Sequence, residues 1–283
     1  MPYVWEILNR ITASLAHISD SPRFEAELLL SYALNITRSD LLAKVRSSTD
    51  LPPTLDEIVA QRLRYKPLAY ILGYTEFYSL KIFTEPPVFI PRPETELLVE
   101  KAIEIIEHFP SNNLKILELC TGTGCIPIAI LKNTKKNIFF ISTDISESAV
   151  RLAMKNASYH DLKVIFLLAD LFSVFTNYPF FDIILCNPPY VSELEWEHIS
   201  PAIRDYEDKR AIVAGKEGLE IIRNIVQLSR TSLVNGGYLL FEIGENEKND
   251  VLKLLKNAGY TDAQVINDLQ TLPRIAVGRW SMI

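Results

Sequence analysis

At 283 residues, 48% of them hydrophobic and 23% charged, the chain has the composition of a globular protein and the length to bury a sizeable core without staples. Its three cysteines, Cys120, Cys125 and Cys186, form neither a disulfide framework nor a zinc-ligand pattern, which points to a reducing cytoplasm. A formal net charge of −6 argues against a dedicated duplex-DNA binder, no apolar run approaches the roughly 20 residues of a spanning helix, and the opening MPYVWEILNR lacks the layout of a secretion signal.

Residues 1–72 read as a small helical bundle. Val4, Leu8, Ile11, Leu15 and Ile18 recur at helical spacing. Ser21-Pro22 reads as an N-cap with proline at the first helical position. Thr54 and Glu57 read as a capping box ahead of a helix from Ile58 to Leu63. Breaks at Asn35-Ile36-Thr37 and Leu51-Pro52-Pro53 separate these pieces. Residues 73–93 read as a joint. Phe77 to Phe83 is aromatic and β-branched, which predicts a strand or hairpin, and Pro86, Pro87, Pro91 and Pro93 interrupt regular structure. Pro93 opens the helix ETELLVEKAIEIIEHF, with Glu94 and Glu96 at the positive end of its dipole.

From residue 94 to 283 the pattern is α/β. The apolar strands KILELC, IFFIST, VIFLLA, DIILC and YLLFEI are mostly separated by helical stretches, which predicts a parallel sheet covered on both faces. The tail adds a helix and two strands, and the alternating RIAVGRW reads as an edge.

ELCTGTGC follows the first of these strands and opens a helix at Ile126, with Pro127 in the first turn. Gly122 and Gly124 permit a sharp turn and the close approach of a ligand at the carboxyl ends of the strands. Pro127 stands where a dinucleotide fingerprint has its third glycine, and no Gly-Lys-Ser/Thr follows, so phosphate-bearing cofactors lose ground. Asp144, roughly 20 positions further on, is placed either to accept from two ribose hydroxyls or to cap the next helix. Asp170 can accept from an adenine amino group, and Phe172 can face adenine or fill the core. Ribose and adenine without a phosphate site point to S-adenosylmethionine (AdoMet). The arrangement over about 114–283 resembles the class I AdoMet-dependent methyltransferases, whose Rossmann-like sheet has seven strands with the last antiparallel.

The fourth strand delivers Asn187-Pro188-Pro189-Tyr190 to the same crevice. The residue before a proline is held extended, and each proline has a fixed φ and no N–H. The loop carbonyls and the Asn187 side chain can accept both hydrogens of a planar –NH₂ group. Tyr190 adds a flat, electron-rich face. The nitrogen held this way is an amide or a conjugated amine. The positive charge it gains on methylation is stabilised by fixed carbonyl dipoles, once it is oriented in line with the methyl–sulfur bond. No histidine, cysteine or metal is required; His17, His108, His160 and His198 read as surface or structural. By itself the tetrad suits adenine or cytosine amino groups in DNA, guanine amino groups in RNA, or glutamine in a protein.

PLAYILGYTEFYSLKIF, FIPRPETELLVE, ILELCTGTGCIPIAI, NPPY, YEDKRAIVAGKEGLEIIRNIV and LLFEIG, in that order, resemble the peptide chain release factor glutamine methyltransferases over nearly the whole chain. The resemblance implies methyl transfer from AdoMet to the glutamine of a release factor's Gly-Gly-Gln loop, with the bundle and joint helping to dock that protein. It implies cofactor contacts from Thr121, Gly122, Thr123, Gly124, Cys125, Asp144, Phe172 and Asn187. It implies substrate contacts from Asn187, Pro188, Pro189 and Tyr190, of which Asn187, Pro188 and Tyr190 carry the catalysis. Neither a metal, a membrane nor a nucleic-acid substrate is expected, and the expected form is a cytoplasmic monomer.

The chain departs from the family pattern at Cys120, where the first loop glycine is usual, at Glu118 (usually Asp), at Asp208 (commonly Pro) and at Glu247 (commonly Gln). A left-handed backbone at Cys120 costs a non-glycine residue about 1 kcal/mol or more. Arg92 belongs either near the site or in a salt bridge of the joint. The competing readings are a nucleic-acid amino methyltransferase, a ribosomal-protein glutamine methyltransferase, and a non-catalytic AdoMet- or release-factor-binding module.

Overall fold

Amphipathic helices open the chain: α1 (Val4–Leu15), α2 (Pro22–Leu34), α3 (Arg38–Ala43), α4 (Leu55–Leu63) and α5 (Leu68–Leu72) in a computed structural model that describes residues 1–175 and 178–281. Residues Met1–Tyr74 with Ser200–Tyr206 form one compact unit, and Thr75–Ile199 with Glu207–Ile283 form the other. In the first unit Val4, Leu8, Ile11 and Leu15 are buried against Leu29, Leu30, Leu41 and Leu55, while Ile18 lies beyond the end of α1 and packs on that core half-buried. Pro22 opens α2 as expected, and Asn35 ends it in a left-handed conformation. The predicted capping box at Thr54 does not form. Thr54 is already helical in backbone (φ −83°, ψ −12°), because Leu55 N–H closes a turn onto the Pro52 carbonyl, and an N-cap needs an extended residue there. The chain instead caps α3, which the sequence reading passed over, with Thr37 accepting from Asp40 N–H at 3.1 Å.

A hairpin follows, β1 (Tyr74–Phe77) and β2 (Leu80–Phe83), turned by Tyr78 and Ser79 at positive φ. Glu96 at the start of α6 (Glu96–His108) accepts from Tyr78 N–H at 2.7 Å and so ties the hairpin to that helix. Next come β3 (Asn113–Leu119), α7 (Cys125–Asn133), β4 (Asn137–Asp144), α8 (Glu147–Tyr159), β5 (Ile165–Leu168), β6 (Phe181–Cys186), β7 (Val191–Ser192), α9 (Glu193–Trp196) and α10 (Pro201–Arg204), the last belonging to the first unit. The chain closes with β8 (Val213–Gly215), α11 (Glu220–Ser232), β9 (Leu233–Glu242), α12 (Lys248–Asn257), β10 (Tyr260–Asn267) and β11 (Pro273–Trp280).

The main sheet has seven strands in the order β10-β11-β9-β6-β3-β4-β5, with β11 antiparallel to both neighbours and the pairs β9-β6, β6-β3, β3-β4 and β4-β5 parallel. Alternate residues of the central strands feed two cores. Ile116, Ile183, Leu185 and Leu240 pack with α6 and α7, and Leu117, Ile184, Leu239 and Phe241 pack with α11 and α12. The expected cover on both faces therefore holds at the centre. It fails at β5, an edge strand whose Ile165 and Leu168 are 44% and 56% exposed. The last strand is not the edge that its alternation predicted. β11 is flanked on both sides, and β10 is the edge, because alternation reports which face is wet and not whether a second neighbour is present. No helix among the described residues is long and apolar enough to cross a membrane.

The order of the strands positions the crevice. From β3 the chain runs outward through β4 and β5, then returns to the other side of β3 as β6. In open α/β sheets ligands bind at such a switch point, beyond the carboxyl ends of the strands. Leu119 of β3 and Cys186 of β6 are register partners, so the glycine loop and the Asn-Pro-Pro-Tyr loop leave the sheet side by side.

Candidate active site

The glycine loop turns at Cys120 and Gly122, with φ of 58° and 54°. Cys120 thus holds the strained left-handed backbone, and Thr121 N–H pins the turn to the Thr143 carbonyl at 3.0 Å. A methyl group built on Gly122 would meet no atom within 4 Å, so the loop faces open space. Asp144 at the end of β4 accepts from Gly122 N–H at 2.9 Å and from Ser146 N–H at 2.8 Å. The N-cap of α8 is Ser146, not Asp144. Burial raises the Asp144 carboxyl above its ordinary range, against the lowering pull of those two N–H groups. Each of its oxygens still has acceptor capacity. An acidic side chain at a glycine turn suits a ligand that brings hydroxyls, and opposes a phosphate. The Cys125 side chain packs into the core at the start of α7, and Phe172 is 7% exposed in the core beside Leu119 and Ile141, while Asp170 is exposed.

Beneath the loop Glu118 is fully buried. Thr121 Oγ1 donates to its Oε2 at 2.5 Å, and its Oε1 has no partner among the described residues. Burial pushes this carboxyl up to about 8, with Asp144 adding to the rise and the Thr121 hydroxyl opposing it. Because the folded value lies above the ordinary 4.5, the side chain's contribution to stability is complete below pH 4.5 and is lost as the pH rises through about 8. Glu118→Gln should flatten that slope, so chemical denaturation should show the variant gaining on the parent protein as pH rises. Parallel stability curves would contradict it. The two buried thiols offer no nucleophile: burial pushes Cys125 up to about 12 and Cys186 well above its ordinary value.

The tetrad rests on a buried polar network. Asn187 Nδ2 donates to Thr95 Oγ1 at 3.1 Å, Thr95 Oγ1 donates to Glu242 Oε2 at 2.7 Å, and Tyr190 OH donates to Glu242 Oε1 at 3.0 Å. Thr95 and Glu242 are each 1% exposed. Gly218, at φ 86°, lies so close to the tetrad that a Cβ there would stand 2.7 Å from the Tyr190 carbonyl oxygen, which accounts for the glycine of GKEGLE. Directly after the tetrad, Ser192 and Glu195 form a capping box that starts α9.

Two further side chains brace the crevice. Glu207, fully buried at its side chain, accepts from Arg92 Nη2 at 2.5 Å and from Ile90 N–H at 3.2 Å, so Arg92 is a salt-bridge residue of the joint. Asn156 on α8 accepts from Phe83 N–H and donates to the carbonyls of Phe83 and Thr123, joining the hairpin to the glycine loop. Sequence reasoning missed Thr95, Glu242 and Asn156 as site residues. The acid inside the apolar run LLFEI was a readable signal for Glu242, since buried charge is rare without a partner. Nothing local marks Asn156. The histidines stay out of the site: His108 and His198 are exposed and His160 is half-buried, with ring nitrogens against backbone carbonyls of Glu104, Leu194 and Lys81 respectively.

The fold is shared with solved methyltransferases. One from Pyrococcus furiosus has a TM-score of 0.51 at 17% identity over 73% of this chain and 91% of that one. A 16S rRNA methyltransferase from T. thermophilus, solved with AdoMet and guanosine, has a TM-score of 0.54 at 16% identity over 73% of this chain and 49% of that one. Residues 6–73 match the family model described as PrmC N-terminal domain, and residues 95–203 the one described as Methyltransferase small domain. The chain is 34% identical to the release factor glutamine methyltransferase of Thermodesulfovibrio yellowstonii, over 96% of this chain and 95% of that protein. It is also 34% identical to the release factor glutamine methyltransferase of Escherichia coli, over 96% and 97%. The chain belongs to the release factor glutamine methyltransferase family.

Of its departures from that family's pattern, the one at Asp208 has a local reason and nothing in the structure explains the one at Glu247. Asp208 accepts from Arg210 N–H and pairs with the Arg210 guanidinium, and its own N–H donates to the Pro87 carbonyl at 2.8 Å, a bond no proline could make. Glu247 accepts from Gly244 N–H at 2.8 Å; burial pushes its carboxyl up to about 7, helped by Glu195 and Asp250. As a member of the release factor glutamine methyltransferase family the chain keeps the tetrad, the joint and the GKEGLE segment intact, so none of these changes touches Asn187 to Tyr190.

Proposed function

We propose that this protein transfers the methyl group of AdoMet to the side-chain amide nitrogen of the glutamine in the Gly-Gly-Gln loop of peptide chain release factors. The observation that carries the reading is the pairing of Asn187, fixed through its Nδ2, with the glycine turn and Asp144 at one switch point, in a chain of this family. Thr121, Gly122, Thr123, Gly124, Cys125 and Asp144 would hold AdoMet, with hydroxyls on the Asp144 carboxylate and with Phe172 and Asn187 bordering the pocket. Bound there, AdoMet supplies an electrophilic methyl on a sulfonium.

The chain's own residues do the rest. Asn187 Oδ1 and the Pro188 carbonyl accept the two hydrogens of the glutamine –NH₂ and orient its nitrogen. As the methyl would leave the sulfonium for that nitrogen, the fixed dipoles stabilise the positive charge growing there without reorganising, and one of the two N–H protons is then lost to water. Tyr190 walls the substrate, its ring held by the bond to Glu242. The N-terminal helical bundle, residues 1–72, docks the release factor in the cytoplasm, and the protein works as a monomer without a metal.

Purified protein, AdoMet and a folded release factor should yield a single added methyl on the Gly-Gly-Gln peptide by mass spectrometry. An unchanged peptide mass refutes the reading, and methyl transfer to tRNA, rRNA or DNA alone would replace it with the nucleic-acid one.

A further inference from the structure

An amide side chain can present either end, and only one end serves the reaction proposed above. Glu242, buried at the end of β9, uses both carboxylate oxygens: Oε2 accepts from Thr95 and Oε1 from Tyr190. An ionised carboxylate only accepts. The single hydroxyl proton of Thr95 therefore points to Glu242, and toward Asn187 the Thr95 oxygen has only lone pairs left. The 3.1 Å contact must then come from the Asn187 NH₂. That leaves Oδ1 on the opposite side of the amide, as an acceptor for the substrate –NH₂. Without the carboxylate the Thr95 proton is free to turn to Asn187, the amide reverses, and a donor meets the incoming –NH₂.

We propose that Thr95 and Glu242 are positioning residues: the buried carboxylate sets the direction of the Glu242–Thr95–Asn187 hydrogen bonds and thereby selects the end of Asn187 that meets the substrate. Thr95 sits where the joint enters α6, and Glu242 lies 147 residues away in the chain. Core packing alone would favour apolar residues at both places, since burying a carboxylate is costly unless it is paired. The groups facing Glu242 are the Thr95 and Tyr190 hydroxyls, Glu94 ahead of α6 and Arg274 on β11. Burial raises its pKa, with Glu94 adding to the rise, while Thr95, Tyr190 and Arg274 oppose it. Protonating Glu242 lets it donate to Thr95 and reverses the chain of bonds. With AdoMet saturating, kcat should therefore fall as the pH drops through a value above the ordinary 4.5 of a glutamate.

The inference rests on the methyl transfer proposed above, and the tests separate the two. With the full chain, a full-length release factor and saturating AdoMet, Thr95→Val and Glu242→Met should each lower kcat by about 10²-fold. Thr95→Ser, which keeps the hydroxyl, should retain it. All three should bind AdoMet with the parent's affinity in calorimetry. Parent turnover in Thr95→Val or Glu242→Met, or a Thr95→Ser variant as slow as Thr95→Val, overturns the positioning role. So does a loss confined to AdoMet affinity or to the unfolding temperature. If Thr95→Val fails to fold, the acid limb of the parent's kcat profile and Thr95→Ser still decide. A parent protein that methylates no release factor sinks the functional reading instead. The relay is then read directly from the Asn187 side-chain NH₂ by nitrogen-15 NMR. Slowed exchange of one of its protons supports the relay, and two freely exchanging protons overturn it.

Discussion

Asn187→Ala is expected to lower kcat for release factor methylation by about 10²–10³-fold, while leaving AdoMet binding largely intact. In the methyl transfer proposed above, the side chain is a fixed acceptor aimed at charge that appears only as the methyl moves, so its loss falls on the transition state more than on the ground state. Such an interaction lowers kcat and kcat/KM together. The truncation also leaves Thr95 Oγ1 without the donor it meets at 3.1 Å, but that oxygen still gives its own proton to Glu242. The fold should therefore survive, and thermal unfolding with and without AdoMet checks it. Unchanged turnover in a folded Asn187→Ala protein would remove Asn187 from the mechanism.

Arg92→Ala is expected to destabilise the unit that holds the site by roughly 3–5 kcal/mol, the usual consequence of removing one partner from a buried ion pair. Glu207 is fully buried at its side chain and would keep only the Ile90 N–H at 3.2 Å. Burial already raises the Glu207 carboxyl, and Arg92 is what holds that rise in check. Without the guanidinium the folded pKa climbs further, so the penalty is present at neutral pH and is lost as the pH falls and the carboxyl takes up a proton. Replacing both partners together, Arg92→Met with Glu207→Leu, should recover most of the loss, because no unpaired charge remains. Urea denaturation of the single and double variants measures this. A single-variant loss of about 1 kcal/mol or less is what an exposed pair would give, and would place Arg92 in solvent.

Much of the fold was legible because its signals are local. The continuous apolar strands from KILELC to YLLFEI declared a parallel sheet. Local signals failed where a neighbour decides the outcome. Thr54 and Glu57 have the letters of a capping box, yet the turn from Pro52 put Thr54 in the wrong backbone conformation to serve. RIAVGRW alternates like an edge strand, yet β10 folds back to cover it. Arg92 offered no way to choose between the site and a salt bridge until Glu207 arrived from 115 residues away.

The site divides along the same line. The sequence by itself determined the chemistry on offer after β6: an amide followed by two residues with fixed φ and no N–H, then an aromatic face. Those are covalent properties of Asn187, Pro188, Pro189 and Tyr190, and they hold wherever the loop sits. The tertiary structure decided what that loop stands beside and what it leans on. The glycine turn became its neighbour through the pairing of β3 with β6, and Thr95 and Glu242 came under it from 92 and 52 residues away along the chain, measured from Asn187 and Tyr190. An amide can present either end, and the choice belongs to whichever group it meets. No pattern along the chain records that meeting, because it exists only once the sheet has closed and buried the carboxylate.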